Sequence, residues 1–165
     1  MTIKTFIFAL LFLSIFGCSS APAHIKEEKS PEVFTRIHFY LEALYGEKGS
    51  IVLKNEGLNM LLRVYETPIL KEEAFTNAEL EIKNDDKYRI MMEVDAPGKV
   101  KVAEVTKKYQ GRRVAVVLDD TLVATPYIKD EITNGRLRFN GHLTLDESKA
   151  LLVKILATIQ NNQKK

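Results

Sequence analysis

Phe6 to Phe16 (FIFALLFLSIF) is apolar except for Ser14, and one residue beyond it stands the chain's only cysteine, Cys18. This arrangement takes the first segment out of any fold the rest can make. As a helix, eleven residues rise roughly 16 Å at 1.5 Å per residue, whereas a hydrocarbon core about 30 Å thick needs some 20 apolar residues. The run is too short to span a bilayer. With Lys4 ahead of it and small residues behind it, it has the length and flanks of a secretory signal peptide. No later stretch approaches the same apolar length, so the sequence predicts an exported, otherwise soluble chain. One thiol excludes an internal disulfide, and with three histidines it cannot close a four-ligand zinc site unless carboxylates join in.

The end of the run carries a second signal. Ile15-Phe16-Gly17-Cys18 resembles the lipobox of bacterial lipoprotein signal peptides, in which a small residue precedes a cysteine that is acylated and becomes the mature N-terminus. Gly17 and Cys18 match it, Ile15 is an acceptable aliphatic, and Phe16 departs from the small residue usual there. A rival cleavage site is Ala21-Pro22-Ala23, an A-x-A pattern that would release a soluble protein beginning at His24. The position of the sole cysteine decides for lipidation. The resemblance implies a lipid bilayer as partner, with several acyl chains on one residue giving a stable anchor where one chain would not. Processing removes one basic residue, Lys4, so electrostatics adds little to attachment. If the cell has two membranes, Ser19 after the cysteine implies outer-membrane sorting by the same resemblance.

Organisation follows from these signals. Residues 1–17 are read as leader and 18–32, small, polar and proline-containing, as a tether. A folded domain spans 33–160, followed by a polar tail at 161–165. Ile37, Phe39 and Leu41 alternate with polar neighbours, the period of a half-buried strand. Ser50 to Lys54 and Leu58 to Tyr65 follow as strands, and Lys71 to Ala78 reads as a short helix with Ala74 and Ala78 on one face. Glu79 to Lys83 and Tyr88 to Asp95 form a hairpin around a polar turn. Residues 99–109 switch to helical spacing and end at Gly111. Val114 to Leu118 is continuously apolar, a central strand covered on both faces, and Thr121 to Ile128 and Arg136 to Asn140 are further strands. Thr144-Leu145-Asp146-Glu147 is a capping box, after which Leu151, Leu152, Ile155 and Ile159 form one stripe expected to pack on the strand of Val116. The predicted class is α+β: a mixed, mainly antiparallel sheet with two to three packed helices.

Twenty-four basic against twenty-two acidic residues leave a formal charge of +2, which argues against nucleic acid as a partner. A longer pattern is more specific. Thr106, the run Gly111-Arg112-Arg113-Val114-Ala115-Val116-Val117-Leu118-Asp119, Ala124-Thr125-Pro126 and Ile132 occur in order. Asn134-Gly135, Asn140-Gly141 and Thr144 through Ala150 continue the set. This resembles the periplasmic head subdomain of SecD, a subunit of the bacterial SecDF protein-export complex, with a weaker likeness from Glu66 through Ala78. Asp120 replaces the glycine usual after Leu-Asp, and Ser148 replaces a helix acid. SecD couples export to proton flow through transmembrane helices. By resemblance to its head alone, a chain of this kind binds, positions or scaffolds, and does not pump.

Asp119-Asp120 with His142 could suggest a metal or acid–base site, but adjacent acids between strands are ordinarily turn residues. His38 is read as an exposed strand side chain. Lys107-Lys108 with Arg112-Arg113 reads as a solvated helix end whose cations complement the dipole. There is no nucleophile elbow, phosphate loop or H-E-x-x-H. The sequence therefore predicts no catalytic residue, no metal and no cofactor. The candidate site is a sheet edge around Thr125, Pro126, Arg136 and Arg138 presented to an extended peptide. Three functions are compatible with these features. The first is an envelope-anchored binding or accessory module, taking exported or envelope proteins. The second is a structural or assembly lipoprotein, and the third a small envelope enzyme.

Overall fold

The structure is a computed structural model that describes residues 35–55, 57–83 and 87–164. The leader, the lipobox, Cys18 and the rival cleavage site lie outside the described residues.

Strand β1 (Ile37–Leu41) buries Ile37, Phe39 and Leu41 and leaves His38 and Tyr40 half-buried, as a period of two demands. It pairs with β6 (Val114–Leu118), which pairs on its other side with β7 (Thr121–Ala124). The apolar run of β6 is thus the centre of its sheet. Val116 and Leu118 enter the larger core, while Ala115 and Val117 enter a smaller one. The hairpin of β2 (Ser50–Asn55) and β3 (Met60–Tyr65) closes that smaller core with Leu62 and Val64. A second three-stranded sheet has the order β4 (Phe75–Lys83), β5 (Lys87–Val94), β8 (Arg136–Phe139). Its inner face, with Phe75, Ile90, Met92 and Phe139, shares the larger core with Ile37 and Phe39. The α+β class holds, with each named strand pair antiparallel.

Two helices complete the domain. Helix α1 (Ala96–Lys108) begins three residues earlier than its spacing predicts, because Asp95 caps it by accepting from the Gly98 N–H at 2.7 Å. Pro97 fits that first turn, where a missing N–H costs nothing. Helix α2 (Leu145–Asn162) starts with the predicted capping box, Thr144 and Glu147 satisfying each other's main chain. It runs through Asn162, so residues 161 and 162, expected in the polar tail, are helical.

Two expectations are corrected. The expected helix at Lys71–Ala78 is a single 3-10 turn, Glu72–Ala74, from which the chain enters β4 at Phe75. A bulge between Phe75 and Asn77 puts Phe75 and Ala78 on the same inward face; the extra residue gives a strand spacing that mimics a helix. The final helix packs chiefly on β4 and β5, not on the Val116 strand. Ile155 and Ile159 are buried in the shared core, whereas Leu151 and Leu152 flank it, partly buried.

Candidate binding edge

The residues singled out at the sheet edge fall on either side of one gap. After β7, the chain remains paired with the approach to β6: the Val114 N–H donates to the Pro126 carbonyl at 2.9 Å and the Ile128 N–H to the Arg112 carbonyl at 2.8 Å. Facing this segment is β8, which among the described residues has a partner strand on its β5 side alone. The Val94 N–H donates to the Gly135 carbonyl at 3.1 Å. Antiparallel ladders alternate, so the main chains of Arg136 and Arg138 turn away from β5. The Arg136 N–H is taken by Asn134 Oδ1 at 3.0 Å. Gly135 opens the strand with a φ of 70°, and a Cβ there would meet Lys99 Cγ at 2.4 Å. Only glycine fits that entry.

Two hollows lie along the gap. One, of ≈ 240 Å³, has Ile128 and Ile132 on one wall, Leu137 of β8 on the other, and Phe39 and Val114 among its lining. The other, of ≈ 420 Å³, is lined by Thr125, Pro126 and Arg138, with Arg89, Lys129 and His142. Three of the four predicted edge residues therefore share one cleft. Arg136 is not in that cleft; it lines a third hollow with Glu131 and Thr133, which Arg138 borders as well.

Both arginines are also engaged on the outer face of the second sheet. Arg136 Nη2 lies 2.7 Å from Glu93 Oε1, and Arg138 Nε donates to both oxygens of Glu81 at 2.8 and 3.0 Å. Opposite Arg138 on β5 is Met91, on the outer side yet only 1% exposed. The segment opposite β8 is pinned by Thr106. This buried hydroxyl accepts from the Ile132 N–H at 2.9 Å and donates to the Val102 carbonyl at 2.7 Å. The periodicity of α1 gives no hint of that tie, because Thr106 and Ile132 are 26 apart along the chain.

The remaining candidates resolve structurally. Asp119 and Asp120 form the two-residue β6–β7 turn with φ of 48° and 66°, the left-handed pair such a hairpin needs. Asp119 Oδ1 accepts from the Arg36 N–H at 2.9 Å, and Asp120 pairs with the Arg36 guanidinium. His142 stands with φ 52° beside the larger cleft. His38 is not an exposed strand side chain. It is half-buried, with Nε2 3.3 Å from Glu72 Oε2 and Nδ1 3.1 Å from the Tyr40 hydroxyl. Arg112 and Arg113 are not a solvated helix end. Arg112 grips Glu47 at 2.9 and 3.1 Å, and Arg113 grips Glu42 at 2.7 and 3.0 Å. Lys107 and Lys108 do occupy the last turn of α1. Among the described residues no group of three His, Cys, Asp or Glu is placed to hold a metal ion, and no helix is long and apolar enough to cross a membrane.

Two three-stranded antiparallel sheets sharing a core, a two-stranded hairpin closing a smaller one, and helices packed against them define an α+β head-type domain. The matching family is the SecDF, P1 head subdomain, over residues 47–158. The chain belongs to this family. It is 32% identical over 89 residues to the protein translocase subunit SecD of Dictyoglomus turgidum, covering 54% of this chain and 22% of that subunit. To SecD of Elusimicrobium minutum it is 28% identical over 109 residues, covering 66% of this chain and 23% of the subunit. The chain thus spans about a fifth of the length of these relatives. A solved structure described as that of a membrane component SecDF that enhances protein export superposes with a TM-score of 0.60 at 17% identity. That match covers 76% of this chain and 64% of the other, and shows the shared fold.

Proposed function

We propose that this chain is a non-catalytic, membrane-anchored module of the cell envelope whose head domain holds extended polypeptide along β8, as an accessory to protein export. The observation that carries the reading is the open edge of β8 facing the Pro126–Ile128 segment across an apolar gap. An extended chain entering there gains main-chain hydrogen bonds from the edge and seats alternate side chains in the hollows. The SecD relatives supply the export context, and Cys18 supplies the anchor, holding the domain at the bilayer by its acyl chains. The envelope is the location that a periplasmic head domain implies.

Photo-crosslinking tests this in growing cells. Tyr127 is 63% exposed and lines both hollows, and Val153 is 66% exposed on α2. A photoreactive residue at 127 should crosslink to many newly exported chains, and one at 153 should not. A single defined adduct at 127 would instead establish an assembly lipoprotein and overturn the export reading.

A further inference from the structure

Charge is distributed unevenly along the gap, and the larger cleft is basic. Arg89, Lys129, Arg138 and His142 line it, and no acidic residue is among its described lining. Only Arg138 is neutralised, by Glu81. Arg89 stands opposite Glu81 in the β4–β5 register, but that carboxylate is held at both oxygens by Arg138. Among the described residues neither Arg89, Lys129 nor His142 makes an ion pair. Elsewhere in the domain Arg36, Arg112, Arg113 and Arg136 each have a carboxylate, while Arg63 bonds the Ser50 hydroxyl. Arg89 and Lys129 therefore give the cleft positive charge that no carboxylate of its lining offsets.

The apolar hollow adjoins this cleft, sharing Pro126, Tyr127, Lys129 and Arg138 with it. Asp130 lines the apolar hollow and not the basic cleft. An occupant matched to both hollows places an apolar side chain in the first and negative charge in the second. We infer that the edge selects extended segments in which an apolar residue is flanked by acidic ones; this rests on the binding-edge reading above. The preference comes from complementary charge acting at a partly enclosed surface, where opposite charges meet with less water between them and like charges are rejected. A cationic segment entering the basic cleft would meet Arg89 and Lys129 with no carboxylate in that cleft's lining to compensate.

The test uses the full chain and three short fluorescent peptides sharing a central leucine, flanked by glutamates, by glutamines or by lysines. At low salt the glutamate peptide should bind roughly tenfold more tightly than the glutamine peptide, with the lysine peptide weakest. The gap should narrow as salt is raised and in Arg89→Gln/Lys129→Gln. It should persist in Lys107→Gln/Lys108→Gln, which removes the same charge from the end of α1, outside the cleft. Equal binding of the glutamate and glutamine peptides would overturn the charge preference and leave the edge reading standing. Equal loss of preference in both double variants would assign it to overall charge and overturn the cleft. Binding of none of the three would remove the preference and the edge reading together.

Discussion

Arg112 and Arg113 show how little an isolated residue pattern says about what a charge does. Next to the lysines ending α1 they read as more of the same solvated cluster, yet each fastens the approach to β6 to the chain just after β1, at Glu42 and Glu47. Glu42 meets Arg113 through both its guanidinium and its N–H, the latter at 2.7 Å. Burial raises the Glu42 carboxyl, but the Arg113 hydrogen bonds outweigh it and hold the group below its ordinary value. Glu47 is held down to about 2 by its hydrogen bonds, first from Arg112 and then from the Leu44 N–H. A carboxylate depressed in the folded state stabilises it above the unfolded pKa, about 4.3 for glutamate. That contribution is lost as the pH falls through the folded value. Wild type should therefore melt higher than Glu47→Gln at pH 5 and above, the two curves converging as the pH approaches about 2. A gap in melting temperature constant from pH 6 to 2 would refute the pairing.

At the scale of elements, α2 separates what a stripe predicts from what docking decides. The capping box was legible because it depends on residues three apart in one chain. Which residue of the stripe lies deepest depends on where β4 and β5 stand. Ile155 is fully buried and Thr158 bonds the Thr35 main chain in both directions, at 2.8 and 3.2 Å. Ile155→Ala should cost about 2–5 kcal/mol, since the buried side chain leaves a cavity. Leu152→Ala should cost less because that side chain is partly exposed. Thr144→Ala should cost about 0.5–2 kcal/mol, a cap lost with no cavity opened. Denaturant unfolding of the three variants gives the order directly. Should Thr144→Ala prove the most damaging, α2 is not docked through Ile155.

For the whole molecule, the domain's use depends on where it is held. In the proposed arrangement Cys18 is the point at which the chain is held to the bilayer. Cys18→Ala should then accumulate unprocessed precursor and take up no lipid label, because the thiol is the acylation point. A mature wild-type N-terminus at His24, or normal labelling of the mutant, would remove the anchor. Neither result would alter the family assignment, which rests on residues 47–158.

Local physics wrote much of this protein into its sequence. The doubly buried β6, the alternation of β1, the Asp119-Asp120 turn and the cap of α2 each follow from neighbours a few residues apart. The ordered glycines, threonines and prolines pointed to the head-subdomain fold. Of the candidate edge, Thr125, Pro126 and Arg138 were legible and do share a cleft. Arg89 and Lys129 were not, because they join that cleft from β5 and from the segment after β7, far apart along the chain. The same holds for the Phe75 bulge, for the pairing of Arg112 with Glu47 across 65 residues, and for α2 lying on β4 and β5. Each depends on which surfaces meet once the sheets share a core, and spacing within one segment carries no record of that meeting.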